Sequence, residues 1–330
     1  MLYNQTFGLI LAISSTFITT YAIYYLTRKR KSSKRFIEVG RVSDIIIYPV
    51  KSFKGISFHD DEVECSMRGL KYGSLRDRKF MVVNENNRFA TARQEPTMQL
   101  IEPSLSDDGQ NLILSAKNQE PLRLPVNADV AQPLVHTSIF GLDICGYECG
   151  KAAEAWLSKI FKYQGYKLLA HDDDLNGRKL ADDPKWKSKS LYKDEALFTD
   201  LAQYLLISEA SLDDLNTRLD KSVTMARFRP NIVVNRCSAF AEDTWSEIKI
   251  GSAHLYQTHL CGRCRMTLVD PETGVMAQNE PLKTLRKFRM VDSSHPDAKA
   301  LGVAPVFGVN FNIVEVGNIK VGDIVYAIVE

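Results

Sequence analysis

What most constrains the fold of this chain is the spacing of its β-branched residues. They fall in short runs closed by turn formers, not in long amphipathic stretches. The run "VSDIIIYPVKSF" at 42–53 is closed by Pro49. In "RKFMVVNENNRFATARQ" the segment "FMVV" rises into "NENN" and "FATA" returns, which predicts a hairpin. "NLILSA" and "PLRLPV" continue the rhythm of short strands and polar turns. Farther on, "RFRPNIVVN" enters a strand with Pro230 near its start, where a missing N–H is tolerated. "EIKIGSAHLYQTHL" reads as strand, Gly-Ser turn, strand, and "NIVEVGNIKVGDIVYAIVE" as a strand, a Gly-Asn turn and two more strands. Such a pattern predicts barrels or sandwiches, and "IKVGDIVYAI" suits the finish of a small closed barrel. At 330 residues the chain exceeds what one core organises, so two units are expected.

Helices interrupt this rhythm twice. "CGKAAEAWLSKIFKY" at 149–163 places Ala152, Ala155, Trp156, Leu157, Ile160 and Phe161 at helical spacing. "SEASLDDLNTRLD" has Ser211 and Asp214 near capping-box spacing and a stripe of Leu212, Leu215 and Leu219. Between them "AHDDDLNGRKLADDPKWKSKS" is charged and breaker-rich, and reads as an exposed loop or inter-unit connection. The expected class is therefore mixed α+β and β-rich. There are no repeats and no Gly-rich phosphate loop of Walker or Rossmann spacing.

The first 27 residues differ from the rest. They carry no charge, and Phe7 to Leu26 would span roughly 30 Å as a helix, one bilayer core. Tyr21, Tyr24 and Tyr25 gather at one end, and "RKRKSSKR" follows at 28–35. A cleaved secretory signal would carry its bases before the apolar run, and a matrix transit peptide would be Arg-rich and amphipathic. The order seen here predicts a transmembrane signal anchor over 1–27, a basic juxtamembrane linker over 28–42, and a body on the cytosolic side. Residues 1–35 hold six of the 42 bases and none of the 40 acids, leaving 36 bases against 40 acids. A mildly acidic body carries no nucleic-acid footprint.

Six cysteines, at 65, 145, 149, 237, 261 and 264, are too scattered for a disulfide framework on the reducing side of a membrane. Cys261 and Cys264 form a Cys-x-x-Cys in "HLCGRCRMTLVDPETG". Cys145 and Cys149 could complete a structural zinc site only by tertiary convergence. A redox dithiol would open a helix, whereas "RMTLVD" is strand-compatible and "DPETG" turn-forming. Two ordinary hairpin cysteines are a further reading. In another, one thiolate ligates a soft metal and its neighbour is incidental. Lys51 and Ser52, Arg76 and Arg78, Arg229 and Asn231, and Arg263 all lie near strand ends, from which they could converge on a phosphorylated cofactor.

Eight segments in order, "YPVKSFKGI", "GLKYGSLRDRKFMVVN", "TARQEP", "LISEASLDDLN", "FRPNIVV", "AEDTWSEIKIG", "CGRCRMTLVDPETGVMAQNEPLKTLRKFR" and "IKVGDIVY", resemble the mitochondrial amidoxime-reducing component family of MOSC-domain molybdenum enzymes. The resemblance runs from Ser43 to Val329. It implies a MOSC N-terminal β-barrel domain over 43–175 and a MOSC domain with a β-barrel core over 176–330. It also implies a molybdenum cofactor (Mo-molybdopterin), with Cys264 as the catalytic metal ligand. Lys51, Ser52, Arg78, Asp200, Arg229, Asn231, Gly262 and Arg263 would hold the pterin and its phosphate, and Arg263 would help keep Cys264 ionised. The implied activity is reduction of N-hydroxylated compounds to amidines or amines, with electrons from NADH through cytochrome b5 reductase and cytochrome b5. The implied place is the mitochondrial outer membrane, single-pass, with the body in the cytosol. Two departures stand out: Leu201 and Ala202 occupy positions where the family carries hydroxyls, and Gly262 stands where serine is usual. Two rival readings use the same residues, namely sulfur handling through Cys264 with a partner, and an anchored scaffold with a degenerate pocket.

Overall fold

Seven of the β-branched runs close into a barrel, which removes every exposed strand edge among them. The computed structural model describes residues 35–186, 189–191 and 193–330. The barrel strands are β1 (Ile37–Ile47), β2 (Tyr204–Ser208), β3 (Ile232–Asn235), β4 (Trp245–Ile250), β5 (Ala253–Gly262), β6 (Val306–Glu315) and β7 (Ile324–Val329). The ring runs β3, β2, β6, β5, β4, β7, β1 and closes by pairing β1 with β3. All its pairs are antiparallel except β2 with β3, where Leu206 faces Ile232 and Ser208 faces Val234. A parallel pair needs a crossover, and the helix Glu209–Thr217 supplies it.

Alternation sets the core. In β4, Ile248 and Ile250 are fully buried while Lys249 between them is exposed. Ile45, Leu206, Ile232, Leu255, Phe311 and Val325, from six different strands, are likewise 0% exposed and share one cluster. The approach of β6 to β2 depends on Gly308, at φ +80°, where a Cβ would lie 2.5 Å from Ile207 Cγ1 and 2.9 Å from the Leu206 carbonyl oxygen. Gly308→Ala is therefore expected to destabilise the protein by about 2–4 kcal/mol, combining backbone strain with overpacking, as a shift in urea midpoint at unchanged slope. A loss below about 0.5 kcal/mol would mean that the two strands separate easily.

Smaller antiparallel sheets fill the chain between β1 and β2. Phe80–Val83, Leu134–Ile139, Leu142–Glu148 and Lys167–Ala170 form one, and Glu102–Leu105, Asn111–Ser115 and Leu122–Pro125 another. The "FMVV" hairpin is present, with its return held by an isolated bridge between Val83 and Phe89. The expected helix spans Gly150–Phe161 and buries Ala153, Trp156, Leu157 and Phe161.

Several expectations change. The strand β1 begins at Ile37, so residues 37–42, expected as linker, belong to the barrel. The charged stretch after Ala170 is not simply an exposed loop: His171, Arg178, Leu180 and Trp186 are all buried. A guanidinium can enter a core when carbonyls receive it, and Arg178 donates to the carbonyls of Leu197 (3.0 Å), Thr199 and Asp200 (3.1 Å). The crossover helix is capped by Ser208, whose side chain accepts from the Ser211 N–H, while Ser211 Oγ donates to Glu242 Oε1 at 2.7 Å. "RMTL" is a 3-10 turn, not a strand, because the Cys264 carbonyl accepts from both the N–H and the hydroxyl of Thr267. The expected anchor lies outside the described residues; among those described, no helix is long and apolar enough to cross a membrane.

Candidate active site

The site is assembled on a fully buried carboxylate. Asp77, 0% exposed, accepts from the Tyr48 N–H (2.8 Å) and Asn231 Nδ2 (3.0 Å) through Oδ1, and from Arg78 Nη1 through Oδ2. Asn231 Nδ2 also donates to the Ile46 carbonyl, and its Oδ1 accepts from Arg78 Nη1 and the Leu205 N–H. Its amide is thus engaged on both ends within the protein. One network joins the end of β1 to the starts of β2 and β3 and fixes the direction of Arg78. Arg229 extends it: the guanidinium carbons of Arg78 and Arg229 lie 4.3 and 4.2 Å from the centroid of the Tyr48 ring.

These elements surround a cavity of about 150 Å³. Its lining includes Lys51, Arg78, Arg93, Arg229 and Arg263, with Asp200 as the sole acid. Five bases against one acid in a mildly acidic body make a place for a polyanion. Ser52, Arg78 and Arg229 take φ of 74°, 47° and 58°, conformations costing on the order of 1–3 kcal/mol each and characteristic of ligand-gripping turns. Arg229 Nη2 and Thr199 Oγ1 are buried without a protein partner. Burial pushes the Arg229 guanidinium down to about 10, so it stays charged at neutral pH.

Lys51 Nζ donates to the Phe198 carbonyl at 2.8 Å and pairs with Asp200. Burial pushes the ammonium down to about 8, although Asp200 opposes the shift. Desolvation opposes the shift, but Lys51, with Arg93 and Arg178, outweighs it and holds the Asp200 carboxyl, whose side chain is 59% exposed, below its usual range. Between pH 8 and the ordinary lysine value of 10.5 the unfolded chain keeps a proton that folded Lys51 has released. Stability then rises with pH across that window, and charged Lys51 burdens the free fold fully below it. The prediction is that ligand-free wild type gains stability from pH 8 to 10 relative to Lys51→Met; parallel curves would refute it.

The cysteines behave unequally. All six are free, and Cys264 alone is exposed. Arg263, expected to support Cys264, donates Nη1 to Cys261 Sγ at 2.9 Å and Nη2 to the Phe228 carbonyl at 2.7 Å. The backbone N–H of Arg263 also bonds the Pro305 carbonyl, a tertiary contact that no sequence spacing reveals. Among the described residues no group of three His, Cys, Asp or Glu side chains is placed to hold a metal, which leaves a four-cysteine zinc site without support. Lys51, Ser52, Arg78, Asp200, Arg229, Asn231, Gly262, Arg263 and Cys264 all line this one cavity, whereas Arg76, also expected to converge on it, does not and pairs with Asp173 at 3.1 Å instead.

Two domain families match the sequence: the MOSC N-terminal beta barrel domain over residues 39–164 and the MOSC domain over 193–326. Mitochondrial amidoxime-reducing component 1 from Mus musculus is 41% identical over 294 residues, covering 89% of this chain and 84% of that protein. The Homo sapiens protein of the same name is 41% identical over 302 residues, 91% and 86% of the two chains. That of Danio rerio is 34% identical over 329 residues, 99% and 97%. The chain belongs to the mitochondrial amidoxime-reducing component family. In this member the sequence reading missed four contributors. Thr91 and Arg93 stand in "TARQEP" and line the cavity, while Asp77 and Arg178 act behind it. Asp77 was readable as an acid between two bases in "SLRDRKF"; Arg178 carried no signal. Leu201 and Ala202 do line the cavity without hydroxyls, and the neighbouring Thr199 brings a buried, unpartnered one.

Proposed function

We propose that this protein is a molybdenum-dependent reductase of N-hydroxylated compounds, using Cys264 as the protein ligand of a molybdenum cofactor. One observation carries this reading: a cavity with five bases and one acid has the exposed thiol of Cys264 in its wall. The donor set suits the group. A soft thiolate fits a high-valent metal, and buried guanidiniums with an unpartnered N–H fit a pterin phosphate. When bound, the cofactor supplies the two-electron chemistry that converts N–OH to N–H and water with uptake of two protons.

The chain's own residues bind and orient. Lys51, Arg78 and Arg229 neutralise the anion, and Ser52 and Gly262 present backbone to it. Asp200 restrains Lys51, and Asn231 acts through Arg78, being engaged itself. Arg263 braces Cys261 against the Phe228 carbonyl. We further propose that electrons come from NADH through cytochrome b5 reductase and cytochrome b5. We also propose a single-pass anchor in the mitochondrial outer membrane with the body in the cytosol: the relatives' name supports the organelle, and an uncharged N-terminal segment followed by a basic cluster supports the anchor and its orientation. In this reading 43–175 is the N-terminal barrel domain and 176–330 the MOSC domain, with β1 contributing to the second barrel.

The test is metal analysis of purified protein together with amidoxime reduction in a chain rebuilt from NADH, cytochrome b5 reductase and cytochrome b5. Stoichiometric molybdenum with turnover is expected. Zinc in its place, or molybdenum without turnover, would overturn the reading.

A further inference from the structure

Two guanidiniums of the cationic cavity share one aromatic ring. Tyr48, 3% exposed, is not among the residues that line the cavity. It packs behind it with Ile46, Val233 and Met225, and its ring edge is pressed against Gly55, where a Cβ would lie 2.8 Å from Tyr48 Cε1. The backbone holds it too: its N–H reaches Asp77 Oδ1 at 2.8 Å, and its carbonyl accepts from the Arg78 N–H at 2.6 Å. Onto this fixed ring the Arg78 and Arg229 guanidinium carbons close to 4.3 and 4.2 Å of the centroid. Burial pushes the Tyr48 hydroxyl up to about 12 against the pull of both arginines, so the ring meets them uncharged. The two cations repel: after burial itself, the Arg78 charge also pushes the Arg229 guanidinium down. They are held differently. Arg78 donates to Asp77 and Asn231, whereas Arg229 Nη2 is buried without a protein partner, and the ring is the contact that sets its direction.

We propose that Tyr48 is a positioning residue for anion binding: its ring holds Arg78 and Arg229 aimed into the cavity, so that both present N–H donors to a phosphorylated ligand. The inference rests on the anion-binding part of the reductase reading and needs none of its redox chemistry. A guanidinium over a ring is attracted by the ring quadrupole, and the attraction grows where water is excluded. It offsets part of the repulsion between two buried like charges without supplying a counter-anion. Asp77 already holds Arg78 through a carboxylate, and a second carboxylate in place of the ring would cancel the charge the ligand must meet. Stacking uses the face of a guanidinium and hydrogen bonding uses its rim, so an uncharged ring leaves donors free. Fixing both side chains before the ligand arrives also lowers the entropy lost on binding.

Calorimetric titration of the full chain, prepared without cofactor, tests the proposal with inorganic phosphate as the probe. Tyr48→Leu should weaken phosphate binding at least about tenfold, the scale of two desolvated cation–π contacts. Tyr48→Phe keeps the ring and should stay within about twofold of wild type. Tyr48→pentafluorophenylalanine keeps the shape of that ring but reverses its quadrupole, and should fall with the leucine variant. Val233→Ala loosens the same small cluster while leaving the ring, and should bind as wild type does. If Tyr48→Leu does not fold, the phenylalanine and pentafluorophenylalanine variants, alike in shape, decide between them. Equal binding by that pair, or a loss in Val233→Ala that matches the loss in Tyr48→Leu, would show that packing and not the ring face matters, and would overturn the proposal. Wild type that binds no phosphate would overturn it as well. Metal analysis of wild type runs alongside: protein without molybdenum would sink the reductase reading, while the phosphate series still decides the part played by Tyr48.

Discussion

Cys264→Ser should remove amidoxime reduction and lower bound molybdenum together, by more than about a hundredfold in activity. Loss of a mere outer-shell partner of a metal ligand already costs 10–100-fold, and here the ligand itself changes from a soft thiolate to a hard, protonated hydroxyl. Cys261→Ser is the sharper comparison. Cys261 accepts from Arg263 Nη1, and serine retains an acceptor, so that variant should keep its metal and most of its activity. Cys261→Ala removes the acceptor and frees the guanidinium, so a several-fold loss with metal retained is expected there. Elemental analysis beside steady-state turnover separates the cases. Equal loss of metal in Cys261→Ser and Cys264→Ser would return the pair to a shared metal site or a dithiol.

The sequence reading reached most of the site and missed what holds it. Lys51, Arg78, Arg229 and Cys264 sit near strand ends, outside the alternation that fills the core, so pattern and resemblance together located them. Their convergence depends on β1, β2, β3 and β5 meeting around one cavity, a fact of ring closure that no local window contains. Arg178 shows the limit most clearly. In a stretch of acids, lysines and breakers it reads as solvated, yet it is 1% exposed because three carbonyls of the 197–200 segment receive it. "RMTL" failed for a related reason. Its β-compatible composition is outweighed by Thr267 folding back on the Cys264 carbonyl, a bond that depends on position and not on propensity. The barrel itself was more legible, since alternation such as Ile248, Lys249, Ile250 is written residue by residue.

Asp77→Ala should destabilise the ligand-free protein by about 3–5 kcal/mol, the scale of breaking a buried ion pair on one side. The Tyr48 N–H and Asn231 Nδ2 would lose their acceptor, and Arg78 its carboxylate, inside a network with no solvent to substitute. Asp77→Asn should fall between, because its amide oxygen can still receive Tyr48 and Asn231 while its NH2 faces a guanidinium. The loaded protein should respond differently. If Arg78 faces a phosphate when the cofactor is bound, that anion replaces part of the missing charge, so denaturant unfolding should show a smaller loss for holo Asp77→Ala than for apo. A loss under about 1 kcal/mol in the apo protein would show that Asp77 does not anchor the network. An equal loss in both forms would show that Arg78 meets no anion, and would remove it from the proposed phosphate grip while leaving its structural tie to Asn231 intact.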